Sequence, residues 1–88
     1  MPYQPYELTV QPRDSVLKLA EAMEIQLRAN EDKPSWRYQT AEHLYIQAMQ
    51  SFQKANNAFL VDDAASCKRY LTNTANYIMM FRENIDNK

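Results

Sequence analysis

Residues 40–60 read TAEHLYIQAMQSFQKANNAFL. Ala41, Leu44, Tyr45, Ala48, Met49, Phe52, Ala55 and Phe59 recur every three or four positions, which is the spacing of one broad apolar helix face. Thr40 stands just ahead of this pattern, where a side-chain oxygen caps a helix start. The polar positions are unusual. From residue 46 to residue 60 Lys54 is the only charged side chain, and the rest are glutamine, asparagine and serine. A helix with one face in water ordinarily carries Glu and Lys there, so the face either meets a partner or ligand or is a solvated face of unusual composition.

Working outward, the same periodicity appears on both sides. Upstream, Val16, Leu19, Ala20, Met23 and Leu27 form an apolar stripe, and Asp14 and Ser15 offer oxygens to cap it, which predicts a first helix over roughly 15–30. Pro34 disfavours helical geometry at Lys33, so NEDKPSWRYQ (30–39) reads as a connecting loop. Pro2, Pro5 and Pro12 make residues 1–13 an extended tail. Downstream, the Asp62–Asp63 pair favours a new helix start, because carboxylates accept free backbone N–H groups and oppose the positive dipole end. A helix over about 63–84 follows, with Ala64, Cys67, Leu71, Thr74, Ala75, Ile78, Phe81 and Ile85 on one face. The short connection makes residues 40–60 and 63–84 an antiparallel hairpin about 30 Å long. The expected fold is a single all-α domain in which the first helix packs on this hairpin and the apolar faces form the core.

Composition narrows the function. The chain has 88 residues, and a domain of this size buries only about 60–65% of its unfolded surface, so a partner subunit is expected. There is no glycine. Phosphate-cradling glycine loops are therefore excluded, and almost no position is expected to need a positive φ. Net charge is −1 with both signs interspersed, which gives no basic stripe for a nucleic-acid duplex. Cys67 is the only cysteine, which fits a reducing compartment, and no apolar run is long enough for a membrane span. A cytoplasmic protein is expected, without cofactor. His43 has no second nitrogen or sulfur ligand nearby and is not expected to hold a metal.

Two uncharged polar stripes are the candidate site. Gln47, Gln50, Ser51, Lys54 and Asn57 share one side of the second helix, and Arg69, Thr72, Asn73 and Asn76 form a similar stripe on the third. Amides both donate and accept and desolvate at lower cost than carboxylates, which suits either a wet subunit seam or a polar ligand pocket. Trp36, in the charged loop beside Lys33, is the aromatic residue best placed to cover a nucleobase. Met23, Met49, Met79 and Met80 read as gap-filling packing.

The run AMEIQLRANEDKPSW (22–36), a long helix, and then TANYIMMF (74–81) resemble the phage-encoded, MazG-like all-α nucleoside triphosphate pyrophosphohydrolases. The resemblance spans about residues 16–83 and rests on an N-[DE]-x-K-x-x-W segment and a later A-N-[FY]-x-M-M helix. It implies a nucleotide ligand and paired long helices, hence at least a dimer. The family's Mg²⁺ ligands are an E-E-x-x-E set and an E-x-x-D set; alignment through NNAF and TAN puts Gln50, Ser51 and Lys54 at the first, and Tyr70 and Asn73 at the second. Asn76 matches an asparagine that follows the acidic pair. Between Thr40 and Val61 the only acid is Glu42, so no register restores the first set. Amides and hydroxyls alone bind hard Mg²⁺ poorly, and without the metal the hydrolytic chemistry loses its activated water and charge clamp.

The resulting expectation is a non-catalytic protein that binds or sequesters a nucleotide or nucleotide signal, as an anti-defence function inside a phage's host. Its ligand residues are Lys33, Trp36, Gln47, Gln50, Lys54, Arg69, Asn73 and Asn76, with Lys54 neutralising a phosphate where the cation would sit. Two alternatives stay open. One is an interaction module in which the amide stripes build a homo-oligomer or grip a host protein; the other is a residual Mg²⁺-dependent pyrophosphohydrolase drawing on Glu21, Glu24 or Glu31.

Overall fold

The computed structural model describes residues 10–31 and 35–86. The chain is all-α. Helix α1 (Asp14–Ala29) leads through a short 3-10 turn (Trp36–Tyr38) into α2 (Ala41–Leu60) and α3 (Ala64–Asp86), and the described residues contain no strand. Residues 1–9 of the expected tail lie outside the described residues, as do Lys33 and Pro34.

Local chemistry explains the helix boundaries. Thr40 Oγ1 accepts a hydrogen bond from His43 N at 3.1 Å and starts α2 as expected. Asp63 Oδ1 accepts from Ser66 N at 3.1 Å and starts α3. At α1 the expectation of an Asp14–Ser15 cap is corrected: Arg13 is the capping residue and makes no side-chain cap bond. Asp14 lies inside the first turn, where its charge opposes the helix dipole without closing a cap.

The turn between α2 and α3 holds the one positive φ among the described residues. Asp62 adopts φ 61°, the left-handed region, in a chain without glycine. The reason is helix termination. Asp62 N donates to Phe59 O at 3.2 Å and Asp63 N to Ala58 O at 2.9 Å, the paired bonds of a Schellman end, which need one left-handed residue. Asp63 thus ends one helix with its backbone and begins the next with its side chain.

The hairpin is the main packing unit, and α1 leans chiefly on α3. Its seam is built from small and polar residues: Leu44, Ala55 and Ala58 are the buried apolar residues, beside Ser51, Thr72, Thr74 and Asn76. The buried hydroxyls are satisfied locally. Thr72 Oγ1 donates to Lys68 O at 3.0 Å and Thr74 Oγ1 to Tyr70 O at 2.8 Å, each back along the same helix.

The apolar stripes expected to form the core are only partly enclosed. Tyr45, Met49, Phe52 and Phe59 on α2 are exposed, as are Leu71, Ile78 and Ile85 on α3. Small side chains at the seam let α2 and α3 approach closely, which turns the large ones toward the outer flank. One chain of three helices has no further layer to lay over that flank. Tyr45 and Phe81 still meet across the hairpin, with ring centroids 6.1 Å apart.

Candidate functional site

A cavity of about 480 Å³ opens between the C-terminal half of α1, the 3-10 turn and the middle of α3. Its wall is rich in amides: Gln26 and Asn30 from α1, Gln39 from the turn, and Asn73 and Asn76 from α3, with Trp36 and Tyr77 as the aromatic side. Glu31 is the acid at its edge. The α3 residues recur at 73, 76, 77 and 80, one stripe of a helix.

A hydrogen-bond network holds this wall rigid. Asn76, only 3% exposed, donates through Nδ2 to Met23 O at 3.2 Å and to Gln26 Oε1 at 3.4 Å. Gln26 Nε2 donates in turn to Arg69 O at 3.0 Å, and Asn30 Nδ2 to Gln26 O at 2.9 Å, so α1 is laced to α3 through amides. Across the hairpin, Asn73 Nδ2 donates to Ser51 Oγ at 3.2 Å, and Ser51 Oγ donates to Tyr70 O at 3.1 Å. Ser51 is therefore a tie between α2 and α3, and its hydroxyl is already committed.

Three buried polar atoms in this wall have no protein partner: Trp36 Nε1, Gln39 Oε1 and Asn76 Oδ1. A buried polar group left unpaired costs about 1–3 kcal/mol, which a ligand or water in the cavity can recover; Asn84 Oδ1, outside the cavity lining, is in the same condition. The turn that carries two of them is held by light contacts. Arg37 pairs with Glu83 at 3.0 Å in a largely exposed salt bridge, and Asn84 Nδ2 donates to Gln39 O at 3.0 Å. Exposed pairs are worth about 0–1 kcal/mol, so the salt bridge adds little to the hold on the turn. Arg37 also lies over one face of the Trp36 ring, 5.2 Å from its centroid.

One helical turn from Asn73, on the same stripe, stands Arg69. Its guanidinium lies 5.0 Å from the centre of the Tyr70 ring, and Lys54 Nζ of α2 lies 5.9 Å from the same ring. Two cations thus share one aromatic side chain next to the amide cavity. Arg69 also helps Asp63, whose carboxyl is held below the usual range by the side-chain and backbone hydrogen bonds to Ser66 first and by Arg69 as a smaller contribution. Among the described residues no three His, Cys, Asp or Glu side chains cluster as metal ligands, and no helix is long and apolar enough to cross a membrane.

The structure brings Trp36, Asn73 and Asn76 together in the cavity wall and sets Lys54 and Arg69 around Tyr70 beside it. Gln47 and Gln50 stand on α2 outside the cavity lining. Lys33 lies outside the described residues. Sequence reasoning missed Gln26, Asn30 and Gln39. Their signal was available for α1: Gln26 and Asn30 are four residues apart and flank Leu27 on a helix otherwise read by its apolar stripe.

Comparison of the chain with protein-family models, with curated proteins and with solved structures finds no match. The resemblance to the MazG-like hydrolases accordingly rests on the residues quoted for it.

Proposed function

We propose that this protein binds a nucleotide and leaves it intact, with the base in the amide cavity and the phosphate beside Lys54 and Arg69. The observation that carries the reading is the cavity wall itself, where Trp36 Nε1 and Asn76 Oδ1 are buried without partners, on a stripe of α3 that continues two turns from Asn76 to Arg69. A planar polar head joined to an anionic group meets both needs. Lysine serves phosphate as a point charge and arginine as a fork. Ser51, at a position where the resembled family places a metal ligand, spends its hydroxyl on Tyr70 O, and its neighbours Gln50 and Lys54 supply no carboxylate. Holding without cutting suits sequestration, in which a nucleotide is removed from solution by mass action.

Calorimetry with mono-, di- and triphosphates of the four common bases tests this. Saturable binding is expected, with Lys54→Ala and Arg69→Ala each weakening it about tenfold and reducing its salt dependence. Absence of heat with every nucleotide up to millimolar concentration removes the proposal. Pyrophosphate release in the presence of Mg²⁺ removes its non-catalytic half.

A second reading concerns a different face. Tyr45, Phe52 and Phe59 are spaced by seven on α2, and Leu71, Ile78 and Ile85 by seven on α3, all exposed. That spacing is the seam of helices packed side by side. A second copy brings the same two-helix surface, so the hairpins of two chains make a four-helix bundle and supply the layer each lacks. In this reading the subunit contact is the apolar flank, and the amide cavity is left to the ligand.

A further inference from the structure

We infer that two copies of the hairpin pair end for end, with Asn56 of each chain in the same layer as Arg82 of the other; the inference rests on the dimer reading above and specifies its orientation. On α2 the flank runs Tyr45, Met49, Phe52, Asn56 and Phe59; on α3 it runs Leu71, Ala75, Ile78, Arg82 and Ile85. Both advance by alternate steps of four and three, and every one of these side chains is exposed except the half-buried Ala75. In both stripes the fourth position is polar and the other positions are apolar. A polar residue inside such a seam lowers stability but dictates register and the number of helices, because its burial is tolerated only where a partner meets it.

Contacts inside one hairpin set the levels. Tyr45 lies against Phe81 and Ser51 accepts from Asn73, which puts Asn56 near the closed end, level with Arg69, and Arg82 near the open end, level with His43. Two arrangements satisfy a two-fold axis over this flank. With the closed ends together, the two Arg82 guanidinium groups share one layer. Like charges in a poorly hydrated seam repel, and the stripes hold no acid to offset them. With one hairpin turned end for end about the level of Met49 and Ala75, the two Arg82 separate by about 20 Å along the bundle. Tyr45 is then level with the partner's Leu71, Met49 with the partner's Ala75, Phe52 with the partner's Ile78, Asn56 with the partner's Arg82 and Phe59 with the partner's Ile85. Apolar meets apolar in every other layer, and the Asn56 side-chain carbonyl accepts from the guanidinium in its own. The two stripes complement each other in order as well as in kind, which selects a second copy of this chain as the occupant of the flank.

Asn56→Asp tests the orientation, and the exposure of Asn56 in the single chain keeps the substitution from disturbing the fold. Dimer dissociation constants are measured by sedimentation equilibrium of the full chain at low and high salt for the wild type, Asn56→Asp, Arg82→Gln and the double variant, each checked for helicity by circular dichroism. In the end-for-end dimer the new carboxylate meets the partner's Arg82, so Asn56→Asp is expected to tighten association at least about fivefold at low salt and less at high salt. The gain is expected to vanish when Arg82 is replaced by Gln. With the closed ends together the two carboxylates would instead face each other and loosen the dimer. An unchanged or looser Asn56→Asp dimer, or a gain that persists without Arg82, overturns the end-for-end inference and leaves the dimer standing. A wild-type monomer overturns both.

Discussion

Asn76 of α3 donates through Nδ2 to the backbone carbonyl of Met23 in α1 at 3.2 Å, a bond that reaches 53 residues along the chain. It does two things at once. It fastens the short first helix to the hairpin, and it fixes which end of the amide faces the cavity. Asn76→Leu keeps the volume but leaves Met23 O without its partner. A loss of about 1–3 kcal/mol in unfolding free energy is expected in urea titration. An unchanged midpoint would show that α1 is held by its apolar contacts alone.

Asp62 carries the strain of the hairpin turn. A left-handed conformation costs a residue with a Cβ about 1–2 kcal/mol, less for Asp than for most, while glycine adopts it freely but loses more entropy on folding. Asp62→Gly is expected to raise stability by about 0.5–1 kcal/mol, read as a higher melting temperature. Asp62→Val is expected to lower it, since a β-branched residue fits this region worst.

Asp63 makes the fold sensitive to acid. Its carboxylate is stabilised in the folded chain by Ser66, so its folded pKa lies below the unfolded value. The contribution is therefore fully present above the ordinary carboxylate pKa of about 3.9 and is lost as pH falls through the lowered folded value. Asp63→Asn keeps a capping oxygen and removes the titration. The variant is expected to match the wild type at low pH and to show a flatter stability profile between pH 5 and 2, followed by thermal melts across that range.

The outer flank of the hairpin gives the fourth expectation. Phe52 and Ile78 are exposed in the single chain, at 58% and 54%. A charge there costs nothing to a monomer and is forbidding inside a dry helix–helix seam. The wild-type protein is expected to sediment as a dimer, and Phe52→Glu and Ile78→Glu each as a monomer with helicity retained. A wild-type monomer at the highest soluble concentration would sink the four-helix arrangement.

Sequence alone determined the elements and their order. The 3.6-residue apolar period drew three helices to within two residues of their observed ends, and Thr40 and Asp63 identified two helix starts, because period and capping are local properties of the chain. The third start misled: Asp14 has the right chemistry, but Arg13 holds the capping position. What only the tertiary structure decided is which residues turn inward. A helical stripe records that a face is apolar without recording what covers it, and here Ser51, Ala55 and Thr74 took the seam while Phe52, Phe59 and Ile78 were left outside. The cavity belongs to the same class of fact. Asn76 meets Met23, and Gln26 meets Arg69, only because α1 folds back over α3, and the direction of a side-chain amide is set by the partner it finds there.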